Sequence, residues 1–278
     1  MNALVIGPRA DENKSGSERM KIEPILGMSP DEFAALAESV FIMVPHRADD
    51  GVTANIMLNT GFWARFGTSI TAIRDDFGGF IEMTRANMVK MFRQVREDNP
   101  KIKYLVMIDN DEEVNWDAPY QLAAWDLPIV SGIICSHAPT RGIFANVFIK
   151  DEFGVARMPS FNRTGKIPGK GLKECHSVGT GLLCIRFDVF EKIIEAGDMP
   201  FVMTLEDRQS CFDTGVLKVG EDTTFCAQAR KQGFKCFVDF AVRGKHFKTL
   251  AVEWPHSHID DSIDVRTWQV DPGDYHHG

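Results

Sequence analysis

Residues 104–113 read YLVMIDNDEE. The apolar run 104–108 has the length and continuity of a strand buried on both faces, as strands of parallel sheets are. It ends in Asp109, Asp111, Glu112 and Glu113. Like charges held this close repel one another, so the strand end needs a positive partner. Asp109 and Asp111, at i and i+2, are hard oxygen ligands suited to Mg²⁺ or Mn²⁺, above all where phosphate oxygens complete the shell. The competing reading is a solvated acidic turn leading into the next helix. An EF-hand loop starting at Asp109 is excluded, because Val114 and Tyr120 stand where glycine and a bidentate glutamate are needed.

Working outward, VFIMVP (40–45) and SITAIRD (69–75) read as strands, with an apolar helical pattern over 53–65 between them. Met88, Met91, Phe92 and Val95 follow i, i+3, i+4, i+7, so a helix over 84–97 turns one face to a core. PIVSGIIC (128–135), GLLCIRF (181–187) and KCFVDF (235–240) are further strands. The strand 181–187 runs into a helix with Asp188 as N-cap, Glu191 completing a capping box and Gly197 as its stop; a second helix spans 221–232 and closes at Gly233. Strands alternating with helices predict an α/β fold with a mostly parallel central sheet flanked by helices. Such sheets take ligands beyond the carboxyl ends of their strands, which places Asp109, Asn110 and Asp111 at the ligand edge.

The chain has 278 residues, 44% of them hydrophobic, enough for one large domain. The expected division is an N-terminal arm over 1–37, a domain over 38–250 and a polar tail over 251–278. No apolar stretch has bilayer length and no signal peptide is read, so the expectation is a cytoplasmic protein. Six cysteines form no CxxC pair and several lie in apolar runs, which points to buried free thiols. A net charge of −8 argues against bulk electrostatic coating of nucleic acid and leaves room for a local basic patch. GKIPGKG (165–171) lacks P-loop spacing and a following Ser or Thr.

Three more features bear on the acidic strand end. TRAN (84–87) places Arg85 and Asn87 at a helix start, suited to an anion or a base edge and equally to ordinary first-turn polarity. In GEDTTFCAQARKQGF (220–234), Glu221 and Asp222 begin a helix, as plain dipole partners or with the placement of a general base. GKHFK (244–248), read as following the last strand, holds His246 between lysines, where imidazole can join two carboxylates around a divalent cation or simply lie at the surface.

In this order and spacing, the pieces resemble nucleotide-sugar glycosyltransferases of the GT-A fold, most closely family 2, over roughly 38–250. TRANMVKMF followed by YLVMIDNDEEV resembles the family's Arg- and Asn-bearing helix and D-x-D strand. SVGTGLLCIRFDVFEKI (177–193) resembles its acceptor-side strand and helix, and GEDTTFCAQARKQGFK its x-E-D motif. The compact chain is similar to small stand-alone enzymes such as those encoded by phages.

The resemblance implies a single GT-A domain and a metal-dependent, inverting transfer from a nucleotide-diphosphate sugar to an acceptor hydroxyl. It implies Asp109, Asp111 and His246 around Mn²⁺ or Mg²⁺, with Asp109 also near the ribose. It implies Pro45, Arg47, Arg85, Asn87, Asn110, Gly179, Thr180 and Gly181 around donor and acceptor. Asp222 is the implied base, supported by Glu221. VPHRADDGVTANI departs from the family's more regular first strand and loop. The segment 157–177, with Arg157, Arg163, Lys166, Lys170 and Lys173, has no family counterpart. It reads as a solvated loop, a lid over phosphates or a platform for an anionic acceptor. The acceptor classes are a glycan, a lipid-linked sugar, a protein or a hydroxymethylated DNA pyrimidine. The rival classes are a sugar-phosphate nucleotidyltransferase and a non-catalytic nucleotide-sugar binding protein.

Overall fold

In the computed structural model the apolar run Tyr104–Ile108 is a strand buried at every position. The structure describes residues 5–6, 27–47, 54–75, 81–138, 142–150, 153–159, 167–203, 220–247, 251–252 and 259–265. The principal strands are β1 (Val40–Arg47), β2 (Ser69–Asp75), β3 (Tyr104–Ile108), β4 (Glu112–Val114), β5 (Ile129–Ala138), β6 (Leu172–Cys175), β7 (Leu182–Arg186) and β8 (Cys236–Phe247). The helices are α1 (Pro30–Glu38), α2 (Ala54–Arg65), α3 (Ile81–Asp98), α4 (Ala118–Ala123), α5 (Phe187–Glu195) and α6 (Glu221–Lys231).

The sheet runs β2, β1, β3, β7, β5, β8, β6, with Val5–Ile6 beyond β2 and β4 added on β8. β1 is parallel to β2 and β3, β5 is parallel to β8, and β7 lies antiparallel between β3 and β5. Thus β1, β2, β3, β5 and β8 share one direction, which is the mostly parallel α/β sheet expected.

Both faces are covered, and side-chain alternation sorts them. Phe41, Met43, Leu105, Met107, Leu183 and Ile185 face a core with Phe92 of α3, Phe190 of α5 and Phe225 of α6. Val40, Ile42, Val106, Ile108 and Leu182 face the other core, with Phe33 of α1, Trp63 of α2 and Tyr120 of α4. Both faces of β3 are therefore dry, which is why its sequence shows no polar alternation.

Several boundaries differ from the sequence reading. α3 begins at Ile81, so Arg85 lies in its second turn, not its first. Asp188 does not cap α5. Arg186 is the N-cap residue, Asp188 pairs with its guanidinium at 2.7 Å, and Glu191 pairs with Arg93 at 2.7 Å. These arginines compete successfully for the carboxylates of the expected capping box.

β8 does not stop at Phe240. A register shift between Asp239 and Arg243 carries the strand on to Phe247, and His246 belongs to it. Asp239 fixes that irregularity by accepting from Trp125 Nε1 and the Ala241 amide, both at 2.8 Å. Residues 30–37, grouped by polarity with the arm, hold most of α1, anchored by buried Phe33 and Ala37 and started by a Ser29–Glu32 capping box. In the tail, Ile259–Asp260 pairs with Ile167–Pro168, and Val265 packs against the main core. The five described cysteines are buried and free; Cys211 lies outside the described residues. No helix among the described residues is long and apolar enough to cross a membrane.

Candidate active site at the acidic strand end

Beyond Ile108 the chain turns, with the Glu112 amide donating to the Asp109 carbonyl at 3.1 Å, and enters β4. β4 pairs antiparallel with the end of β8, setting Glu112 opposite His246. The Phe247 amide donates to the Asp111 carbonyl at 2.7 Å, which extends the contact by one residue. This pairing brings the late histidine to the D-x-D turn.

His246 Nε2 lies 3.0 Å from Asp111 Oδ2, and its Nδ1 is 3.5 Å from Ser136 Oγ. One ligand atom each from Asp111, Glu112 and His246 falls within 4.8 Å of the others. Two carboxylates and an imidazole form a donor set that Mn²⁺ or Mg²⁺ accepts. The residues fit the ion in a second respect. A Cβ on Gly181 would lie 2.9 Å from Glu112 Oε1, so glycine leaves the space this carboxylate occupies. Glu112, to which sequence reasoning gives no role, is thus the third member of the group. Its buried position on a three-residue strand is set by a partner distant in sequence.

Asp109, the other aspartate of the turn, is held by Arg85. Arg85 Nη2 lies 3.2 Å from Asp109 Oδ1, and Nε is 3.2 Å from Glu221 Oε1. Arg85 is only 3% exposed. Burial pushes its pKa down, but Asp109, Glu221 and Asp222 outweigh that and the net shift is upward. Arg85 is therefore a fixed cation among three carboxylates. It ties the end of β3 to the start of α6, and its Nη1 is buried with no hydrogen-bond partner among the described residues.

Glu221 and Asp222 occupy the first turn of α6, after Gly220 as N-cap. The Asp222 carboxylate accepts from the Thr223 amide at 2.6 Å. Its pKa is raised, first by burial and then by Glu221, while Thr223 and Arg85 pull the other way. A carboxylate made more basic by burial has the character of a general base.

The other expected residues are placed as follows. Asn87, two residues beyond Arg85, lies about 200° around the helix from it; its Nδ2 is buried with no partner among the described residues. Pro45 is buried in β1, Arg47 ends that strand, and Asn110 is half-buried in the turn. Gly179, Thr180 and Gly181 are buried beside β7, and the Asp109 amide donates to the Gly181 carbonyl at 3.1 Å. A Cβ on Gly179 would meet the Asn146 side-chain nitrogen at 1.7 Å, so that glycine serves close packing against Asn146. Lys170 is exposed, and Lys173 on β6 donates to the Val265 carbonyl at 3.3 Å. Arg163 and Lys166 lie outside the described residues.

No protein-family model matches the sequence, and no curated protein does. Solved structures with some likeness include A197 from STIV, at 15% identity and TM-score 0.46, over 75% of this chain and 85% of that one. GalNAc-T7 with UDP, GalNAc and Mn²⁺ is similar at 10% identity and TM-score 0.42, over 76% of this chain and 43% of that one. A glycosyltransferase involved in glycosylation of the major capsid of PBCV-1 is similar at 10% identity and TM-score 0.30, over 72% and 91%. Likenesses this remote carry no weight for the chemistry of this chain.

Proposed function

We propose that the chain is a metal-dependent glycosyltransferase that moves a sugar from a nucleotide-diphosphate sugar to an acceptor hydroxyl with inversion. The observation that carries this reading is that one strand end holds two unlike clusters. Asp111, Glu112 and His246 offer three metal donors, and two residues from Asp111, Asp109 enters the Arg85 cluster that contains Asp222. A divalent cation there would neutralise a donor diphosphate and the charge that develops on the leaving nucleoside diphosphate.

The chain's own residues divide the rest of the work. Asp111, Glu112 and His246 hold the cation. Arg85 fixes Asp109 and Glu221 and offers a buried donor, Nη1, to a polar ligand. Asp109 keeps an oxygen edge for a ribose hydroxyl. Asp222 accepts the acceptor's proton as its oxygen attacks the anomeric carbon from the face opposite the diphosphate, which inverts the configuration.

The test is Mn²⁺-dependent hydrolysis of a panel of nucleotide sugars, and transfer to hydroxymethylpyrimidine duplex, unmodified duplex and simple sugars. Donor turnover that needs Mn²⁺ and disappears in Asp111→Ala is the expected result. Absence of any donor binding with metal present overturns the reading, and pyrophosphate release from a nucleoside triphosphate and a sugar phosphate would replace it with nucleotidyl transfer.

A further inference from the structure

The strand Val147–Lys150, β6, His176 and the last turn of α6 line an open-sided cavity of about 260 Å³, formed by none of the acidic-edge residues. Among the described residues its lining includes Lys150, Lys173, His176 and Arg230 against one acid, Glu174. That acid is already paired, 2.7 Å from Lys235 Nζ. In a chain of net charge −8, cations gathered in one concavity are a local inversion of the overall field.

Helix geometry explains only part of this. Arg230 lies in the last turn of α6, where the dipole favours a cation, and its guanidinium donates to the His176 carbonyl. Lys150 and Lys173 come from two strands outside the helix, beyond the reach of its dipole, and Lys173 also donates to the Val265 carbonyl at 3.3 Å. The His176 backbone is fixed, its amide donating to the Phe148 carbonyl at 2.7 Å. Its ring Nδ1 is buried with no hydrogen-bond partner among the described residues. Burial depresses the pKa of Lys173, and burial with Arg230 and Lys150 depresses that of His176. For His176 the direction reflects burial and also the two cations near its ring, Arg230 and Lys150.

We propose that this cavity binds a phosphate group, with Lys150, Lys173 and Arg230 supplying charge and His176 a ring nitrogen. The volume lies just below the roughly 300–1,000 Å³ of sites for larger organic ligands, and it suits a compact anion. The phosphate is either a free anion or one phosphodiester of a nucleic-acid backbone.

The experiment follows the His176 ring resonances of the full chain during titration with inorganic phosphate, beside anisotropy of a labelled DNA duplex. The wild type and the double variant Lys150→Gln, Lys173→Gln are compared. Phosphate is expected to shift the His176 signals saturably. The double variant is expected to bind at least about tenfold more weakly, since each lost charge-assisted bond is worth that much or more.

Duplex binding with the same variant sensitivity and a steep salt dependence assigns the site to a nucleic-acid backbone; phosphate binding alone assigns it to a free anion. Both outcomes support the site. His176 signals unmoved by either ligand, or equal affinity in wild type and double variant, overturn it. Should the double variant fail to fold, Lys150→Gln alone, at an exposed strand end, serves as the comparison. These readouts use neither donor nor metal, so they are independent of the transferase assay.

Discussion

His246 Nε2 and Asp111 Oδ2 lie 3.0 Å apart, joining the end of β8 to the turn after β3. Both atoms belong to the donor set that would hold a divalent cation. Asp111→Ala and His246→Ala are each expected to abolish Mn²⁺ binding at micromolar metal, read by isothermal titration calorimetry. Because metal binds only the native state, Mn²⁺ should raise the melting temperature of the wild type and leave both variants unmoved.

Gly181 tests whether Glu112 belongs to the same group. A methyl at that position would sit 2.9 Å from Glu112 Oε1 and 3.3 Å from Ile134 Cγ1, and β7 next to it is held on both sides by neighbouring strands. Gly181→Ala is therefore expected to displace the carboxylate and keep the fold. Mn²⁺ affinity should fall by roughly 10–100-fold, as when a group orienting a ligand is lost. Unchanged affinity in a folded variant would remove Glu112 from the metal group.

The fold was readable where each strand carries its own evidence. Tyr104–Ile108 and Ser69–Asp75 have the bounds their residues predict; in the first, burial on both faces writes a continuous apolar run, and in the second Ile70, Thr71 and Ile73 are buried while Ala72 is exposed. The site was readable only in part. Asp111 and His246 lie together, whereas Asp109 lies against Arg85. Nothing local tells Asp109 and Asp111 apart; the difference comes from which neighbours, far along the chain, reach each carboxylate. Glu112 has no local signature for the same reason, because its opposite residue across the ladder is His246.

Arg85 should be a stability residue as much as a site residue. Removing it leaves Asp109 and Glu221, with side chains 27% and 19% exposed, facing each other without their cation. Arg85→Ala is expected to cost about 3 kcal/mol in urea denaturation, the lower end for breaking a buried pair. Arg85→Lys should recover only part of that, because an ammonium does not span both carboxylates as the guanidinium fork does.

Asp222 links activity and stability with opposite signs. Burial and Glu221 raise its pKa above the ordinary aspartate value, and a base acts only when ionised. Transfer should therefore fail as pH drops through that raised value, at a higher pH than an ordinary aspartate would dictate. For the fold, the raised value means the native state holds the proton more tightly than the unfolded chain does. The stability this gives is complete below the unfolded pKa and is lost as pH rises through the folded one. Asp222→Asn removes the charged form, so its melting temperature should exceed the wild type's at neutral pH, with the gap closing in acid. The same variant should lose roughly 10²–10⁴-fold in transfer rate, the usual worth of a general base, while donor affinity stays near the wild-type value. Melts and rates measured across one pH series check both halves, and a variant that still transfers sugar at the wild-type rate would strip Asp222 of its role.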